Sequence, residues 1–158
     1  MGCSSIQWVI IEYLLEVIYA SDLRKKFRVA TNEGGNNLAL RNNLSFDIAL
    51  YDREKLKPED ITKKYVQGIA PHTVIEVDTD ISLDDTGFNN SEDYTFLKTK
   101  KLMQYGTQKV IWIFTASQKI VVAEDKVWQV YDFTQTIQIF ENVEFNLDNY
   151  LKMENINL

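Results

Sequence analysis

The chain has 158 residues, a net charge of −6 and a composition that is 45% hydrophobic and 25% charged. This balance is typical of a globular protein, and the length predicts a single domain over residues 1–158. The negative charge argues against a broad basic face for nucleic acid, although a local basic groove is compatible with it. One cysteine excludes an intramolecular disulfide and favours a cytoplasmic location, and one histidine excludes a multi-histidine zinc site.

The first predicted element is a helix that Ser4 or Ser5 caps and that runs to about Ala20. Its apolar run is too short to span a bilayer and contains Glu12 and Glu16, so we expect no membrane association. These two glutamates lie one turn apart and form either a solvated stripe or an auxiliary acidic group facing a site. Residues 25–31 then predict a short strand.

Two apolar strands each carry an acidic residue. Residues 46–51 form one predicted strand with Asp47 inside it, and residues 73–77 form another with Glu76 near its carboxyl end. The second run is almost continuously apolar, which indicates burial on both faces, as in a mixed sheet covered by helices. A long acidic loop follows over residues 78–93.

The second half alternates between helix and strand. A helix is predicted from Ser91 to its glycine stop at Gly106, with Lys98 and Lys101 on one face. Four strands of a meander and a closing helix follow, and Trp112 and Trp128 are expected in the core. The strands span 110–114, 119–123, 127–131 and 136–140, and the helix spans 147–153. The element order predicts an α/β (α+β) fold with a mixed central β-sheet flanked by helices.

Asp47 and Glu76 have the chemistry of a magnesium or manganese site, since these ions take carboxylate oxygens. The backbone carbonyl of Val77 would add a third oxygen, and Lys98 or Lys101 would stabilise charge on a cleaved phosphate. The alternative is that both acids sit at strand ends in solvent and that the lysines form a solvated stripe.

The order of these segments resembles the Uma-two family, a restriction-endonuclease-like branch of the PD-(D/E)XK nuclease superfamily. The resemblance rests on Phe46-Asp47-Ile-Ala, Val-Ile-Glu76-Val, the lysine helix ending at Gly106, and Val-Ile-Trp112-Ile. It implies a restriction-endonuclease-like fold and a metal-dependent DNA endonuclease, with a Mg²⁺ or Mn²⁺ ion held by Asp47 and Glu76. It also implies a catalytic lysine that has moved from the strand to the following helix, with DNA as substrate. The sequence itself does not indicate the oligomeric state, but nucleases that cut duplex DNA often work as dimers, which makes a homodimer one candidate assembly.

The chain departs from the family pattern at the site itself. The superfamily's Glu-x-Lys reads Glu76-Val77-Asp78, so an aspartate stands in the lysine's usual place. Counting back from Gly106 favours Lys98 as the migrated lysine, whereas the spacing from Lys101 to Tyr105 favours Lys101. The alternative function is therefore a catalytically inactive, nuclease-like module that binds nucleic acid or protein.

Overall fold

The computed structural model describes residues 4–31, 36–37, 43–62, 64–78 and 91–158, with the side chains at 36, 37, 43, 78 and 91–93 outside that description. The predicted acidic loop therefore lies almost wholly outside the described residues, as does the side chain of Asp78. Expectations about both stay predictions.

The described part contains four α-helices, one 3₁₀ turn and eleven strands, several of them only two residues long. The helices are α1 (Ser5–Ala20), α2 (Leu23–Lys26), α3 (Ser91–Gln104) and α4 (Leu147–Met153), and the 3₁₀ turn is Pro58–Asp60. The strands are β1 (Phe27–Thr31), β2 (Asn36–Asn37), β3 (Asn43–Leu44), β4 (Ile48–Asp52), β5 (Val66–Gln67), β6 (Thr73–Asp78), β7 (Lys109–Phe114), β8 (Lys119–Glu124), β9 (Val127–Asp132), β10 (Ile137–Phe140) and β11 (Val143–Phe145).

Six strands form the central sheet in the order β1-β4-β6-β7-β8-β9. Only β6 and β7 pair in parallel, and every other pair in this sheet is antiparallel. A parallel pair needs a crossover connection, and helix α3 lies in the connection between β6 and β7. The predicted mixed sheet flanked by helices is confirmed.

Helix α1 covers one face of the sheet. Ser4 caps it by accepting a hydrogen bond from the backbone N–H of Gln7 at 3.3 Å, which satisfies one of the unpaired amides of the first turn. The fully buried side chains Ile10, Leu14 and Ile18 follow at helical spacing and pack against the sheet. Helix α4 and the β10–β11 hairpin add to the same core.

Helix α3 covers the opposite face, where a second core cluster forms around Leu102 and Trp112. The helix ends at Gln104, and Gly106 follows with a φ of +110°, a left-handed conformation that glycine adopts without strain. The predicted glycine stop is confirmed. The two faces therefore have different roles, since α1 and α4 build the larger core and α3 brings polar residues to the sheet.

Three details differ from the sequence predictions. The 25–31 strand begins only at Phe27, because the preceding residues form the short helix α2. The 136–140 segment does not extend the meander but pairs with β11 in a separate hairpin. Trp128 is only half-buried, because it lies on β9, the edge strand of the sheet, which has a neighbouring strand on one side only. Trp112 is buried as expected.

Across the described ranges, no helix combines the length and the apolar character that crossing a bilayer requires.

The packing of α1 gives a stability prediction. Leu14→Ala should lower the free energy of unfolding by about 2–5 kcal/mol, because it opens a cavity at a fully buried position. Urea denaturation followed by circular dichroism measures the change. The matched control is Leu97→Ala on α3, where the leucine is 48% exposed and the loss should be much smaller. Equal losses in the two variants would contradict the burial of α1.

Candidate active site

The strand register brings Asp47 and Glu76 together. Strands β4 and β6 run antiparallel with Ile48 opposite Ile75, so the preceding Asp47 lies opposite the following Glu76. Directly opposite residues in an antiparallel pair project to the same face. That face is the one covered by α3. Asp47 stands immediately before β4 and not within the strand as predicted, yet its carboxylate is buried, as is that of Glu76.

Two amide groups hold the Asp47 carboxylate. The backbone N–H of Val77 donates to Oδ2 at 2.7 Å, and the side-chain amide of Gln7 donates to the two carboxylate oxygens at 3.3 and 3.4 Å. Burial raises the pKa of Asp47 above its usual range. The Val77 and Gln7 hydrogen bonds and the positive charge of Lys98 only partly oppose that rise. The site therefore holds a carboxylate whose negative charge is incompletely compensated.

Lys98 is the cation of the site. Its ammonium lies 2.8 Å from Oε1 of Glu76, and it donates a hydrogen bond to the carbonyl of Ser45 at 3.0 Å. Burial by itself would lower the pKa of Lys98, but the Glu76 carboxylate and the Tyr94 hydroxyl outweigh it and raise the pKa overall. The ammonium is therefore charged at neutral pH although it is almost fully buried.

Three aromatic rings surround the Lys98 ammonium. The centroids of Tyr94 and Trp112 lie 5.7 Å from Nζ, and that of Phe46 lies 5.9 Å away. These distances allow cation–π attraction, which strengthens when the cation is desolvated. The indole N–H of Trp112 donates to the Thr99 hydroxyl at 2.8 Å, which fixes this ring against α3. The aromatic walls exclude water and strengthen the electrostatic interactions inside.

The two candidate lysines occupy different positions. Lys98 contacts Glu76. Lys101 lies three residues further along α3, which is about 4.5 Å along the helix axis and in the direction away from the carboxyl end of β6. Lys101 is partly buried and has interactions of its own. The geometry thus brings together Asp47, Glu76 and Lys98 from the predicted set.

Helix α1 contributes an amide to the site, not a carboxylate. Glu12 and Glu16 are exposed and lie near Tyr150 of α4, where their charges help raise the pKa of the tyrosine hydroxyl after the larger effect of desolvation. The solvated-stripe interpretation is therefore the one that fits. Gln7 reaches Asp47 from the first turn of α1, and sequence reasoning missed it. The signal available was its position in the first turn of α1, three residues after the capping Ser4.

The residues present fit a hard divalent cation. Asp47 and Glu76 supply oxygen ligands, and together with Lys98 they carry a net charge of −1 that a cation would neutralise. Within the described ranges, no three histidine, cysteine, aspartate or glutamate side chains are grouped closely enough to hold a metal ion. A cation here would therefore complete its shell with backbone oxygen and water, as magnesium commonly does.

Comparison with known proteins gives a structural relative. No family model matches the chain, and no curated protein matches it significantly. Among solved structures, the fold is similar to that of "a putative nuclease belonging to DUF820" from Anabaena variabilis, with a TM-score of 0.70. The match has 13% sequence identity and covers 96% of this chain and 83% of the other. The chain therefore shares the fold of that protein.

The buried ion pair gives a second prediction. Lys98→Met should lower the free energy of unfolding by about 3–5 kcal/mol, because it leaves the Glu76 carboxylate buried without its cation. The double variant Glu76→Gln with Lys98→Met should lose less than the sum of the two single losses. Chemical denaturation of all four proteins completes the cycle.

The matched control is Lys152→Met, since Lys152 pairs with Asp148 at 2.7 Å but on an exposed helix surface. We expect a change within about 0.5 kcal/mol there, because solvent screens exposed pairs. Additive losses at Glu76 and Lys98 would show that the two side chains do not interact in solution.

Asp47 gives a third prediction, on pH. Because its folded pKa is raised, the folded state binds this proton more tightly than the unfolded state does. Asp47 thus contributes stability at acid pH that is lost as the pH rises from about 3.9 through the raised pKa. Asp47→Asn removes this loss, so the stability of wild type relative to the variant should fall as the pH rises above about 4. Urea titrations without divalent cations measure the free energy of unfolding of both proteins at each pH. A wild type that becomes more stable relative to Asp47→Asn as the pH rises would refute the raised pKa.

Proposed function

We propose that this protein is a metal-dependent DNA endonuclease of the PD-(D/E)XK type and a member of the Uma-two family. The nuclease-like fold supports this proposal. The observation that carries it is the contact between Lys98 and Glu76 at 2.8 Å beside the buried Asp47. Two acids on one sheet face can hold a metal ion, and a lysine on the helix that covers this face can stabilise charge on a phosphate during phosphodiester hydrolysis.

A magnesium or manganese ion would be held by Asp47, Glu76 and the backbone carbonyl of Val77. Val77 donates its backbone N–H to Asp47, and in a regular strand the N–H and C=O of one residue point to the same side, which supports this carbonyl as the third ligand. When bound, the ion polarises the phosphate and lowers the pKa of the attacking water.

The chain's own residues contribute orientation and charge. Val77 and Gln7 fix the rotamer of the Asp47 carboxylate, so a ligand meets a preorganised oxygen pair. Lys98 holds a full positive charge in a water-poor environment, where it stabilises negative charge that develops on a phosphate oxygen. With a cation held by Glu76, the Lys98 ammonium would be available to that oxygen. We therefore assign the catalytic lysine to Lys98 and not to Lys101.

A specific observation favours the second candidate, a non-catalytic nucleic-acid interaction module. The Lys98 ammonium is enclosed by the Glu76 carboxylate, the Ser45 carbonyl and aromatic rings, which is the environment of a structural ion pair. In such a module the pair would hold α3 onto the sheet without performing chemistry. A measurement of cation binding distinguishes the two candidate functions, because only the nuclease requires a bound cation.

Cleavage of supercoiled plasmid DNA tests the proposal and is the fourth prediction. The wild-type protein should nick the plasmid with Mg²⁺ or Mn²⁺, and Glu76→Ala should abolish nicking. Lys98→Met should reduce the rate by at least about 10²-fold, because it removes the charge that stabilises the transition state. Gel analysis of nicked and linear products over time measures the rates.

Lys101→Met is the matched control, since it removes a lysine from the same helix one turn away. It should retain the wild-type rate, and a loss equal to that of Lys98→Met would reassign the catalytic lysine. Isothermal titration with Mn²⁺ gives an independent readout. A folded protein that neither binds Mn²⁺ nor nicks DNA would establish the non-catalytic module.

A further inference from the structure

A groove lies on the side of α3 that faces β9, the edge strand of the central sheet. It has a volume of about 510 Å³ and runs between α3 and strand β9. Its lining residues are Phe96, Lys100, Met103, Gln104, Lys126 and Trp128. None of them belongs to the cluster around Asp47, Glu76 and Lys98, so the groove is a second candidate site.

An exposed aromatic pair forms the wall of this groove. The ring centroids of Phe96 and Trp128 lie 4.6 Å apart at an interplanar angle of 45°. Phe96 keeps 53% of its surface exposed although it contacts Trp128. Large exposed aromatic surface on a protein is costly in water and commonly marks a binding site. A flat, apolar partner would cover the open ring faces.

The charge of the groove is opposite to that of the chain. The charged residues in its lining are Lys100 and Lys126, both exposed, on a protein with a net charge of −6. Asp125 precedes Lys126 in the β8–β9 turn but does not line the groove, and the nearby Glu124 pairs with Lys109 at 3.2 Å. Exposed aromatic rings and two lysines in one groove complement a base flanked by phosphates.

We propose that this groove binds an unpaired segment of nucleic acid, with a base stacked on Phe96 or Trp128 and the flanking phosphates at Lys100 and Lys126. Stacking on aromatic side chains and lysine contacts to phosphate is how proteins bind single strands with little sequence preference. The proposal deepens the proposed function and rests on it for the choice of nucleic acid as partner.

Helix α3 connects the groove to the candidate active site. Phe96 and Lys100 lie two residues before and after Lys98, so the two sites are on different sides of one helical turn. A helix with its side chains is about 10–12 Å wide, so a strand that passes from the groove to the candidate active site crosses about this distance. The groove would therefore hold the strand a few nucleotides from the scissile phosphate, which favours substrates with an unpaired flank.

Binding of a short fluorescein-labelled oligothymidylate, without divalent cations, tests the proposal. Wild-type protein should bind it with an anisotropy change, and Phe96→Ala with Trp128→Ala should raise Kd by at least about tenfold, because each stacked base contributes an interaction of this size. Trp128→Phe should keep most of the affinity, since it retains a ring. An abasic oligonucleotide with the same number of phosphates should bind the wild-type protein with a Kd as high as that of oligothymidylate for the double alanine variant.

Two controls separate local contacts from general effects. Lys100→Glu with Lys126→Glu should weaken binding far more than Lys152→Glu with Lys119→Glu, which changes net charge equally at exposed lysines elsewhere. Trp8→Ala removes another exposed tryptophan, 51% exposed on α1, and should leave Kd unchanged. Near-ultraviolet circular dichroism checks that each variant is folded.

The outcomes for this groove and for the nuclease are distinguishable. Binding that persists in Glu76→Ala and depends on Phe96 and Trp128 supports the groove even if no variant cleaves DNA. Cleavage by wild type with no effect of the groove variants on Kd overturns this proposal and leaves the nuclease standing. Equal binding of the abasic oligonucleotide also overturns it. If sedimentation shows a dimer that Trp128→Ala dissociates, the occupant is a second copy of the chain and the proposal is wrong.

Discussion

The ion pair between Glu76 and Lys98 is the interaction on which the site depends. It joins the central strand β6 to helix α3 across the smaller core, at a point where both side chains are almost fully buried. A charge placed there alone would be strongly destabilising, so each partner requires the other or a substitute. That requirement explains why Phe46, Tyr94 and Trp112 close around the ammonium, and why the neighbouring Asp47 relies on amide donors for its own compensation.

The two faces of the central sheet differ in what they bury, since one buries apolar side chains and the other also buries charged ones. The face covered by α1 and α4 holds a continuous apolar cluster, whereas the face covered by α3 holds two acids and a lysine among aromatic rings. The raised pKa of Asp47 shows that burial opposes its charge more strongly than its donors support it. In the proposed metal site, a cation bound by Asp47 would relieve this electrostatic cost.

Much of this fold follows from local sequence signals, and the parts that do not are set by long-range pairing. The apolar run around Glu76, the capping serines of α1 and the glycine stop after α3 are all visible in the sequence. Which of Lys98 and Lys101 contacts Glu76 is not visible, because both lie on one helix face and only the position of α3 along β6 brings Lys98 to the glutamate. Gln7 was missed because its partner Asp47 is forty residues away. Trp128 was expected inside because an apolar strand does not reveal whether it is the last in its sheet.

Placing the lysine on the crossover helix, and not on the strand beside its glutamate, also affects when the site forms. Glu76 and Lys98 become neighbours only after α3, which connects the parallel strands β6 and β7, has packed onto the face of the sheet. Parallel pairing requires closure of a long segment of chain and is among the slower steps of folding. A chain still being synthesised would therefore hold its two acids without the lysine. Any activity that depends on this cluster arises only in the fully folded protein.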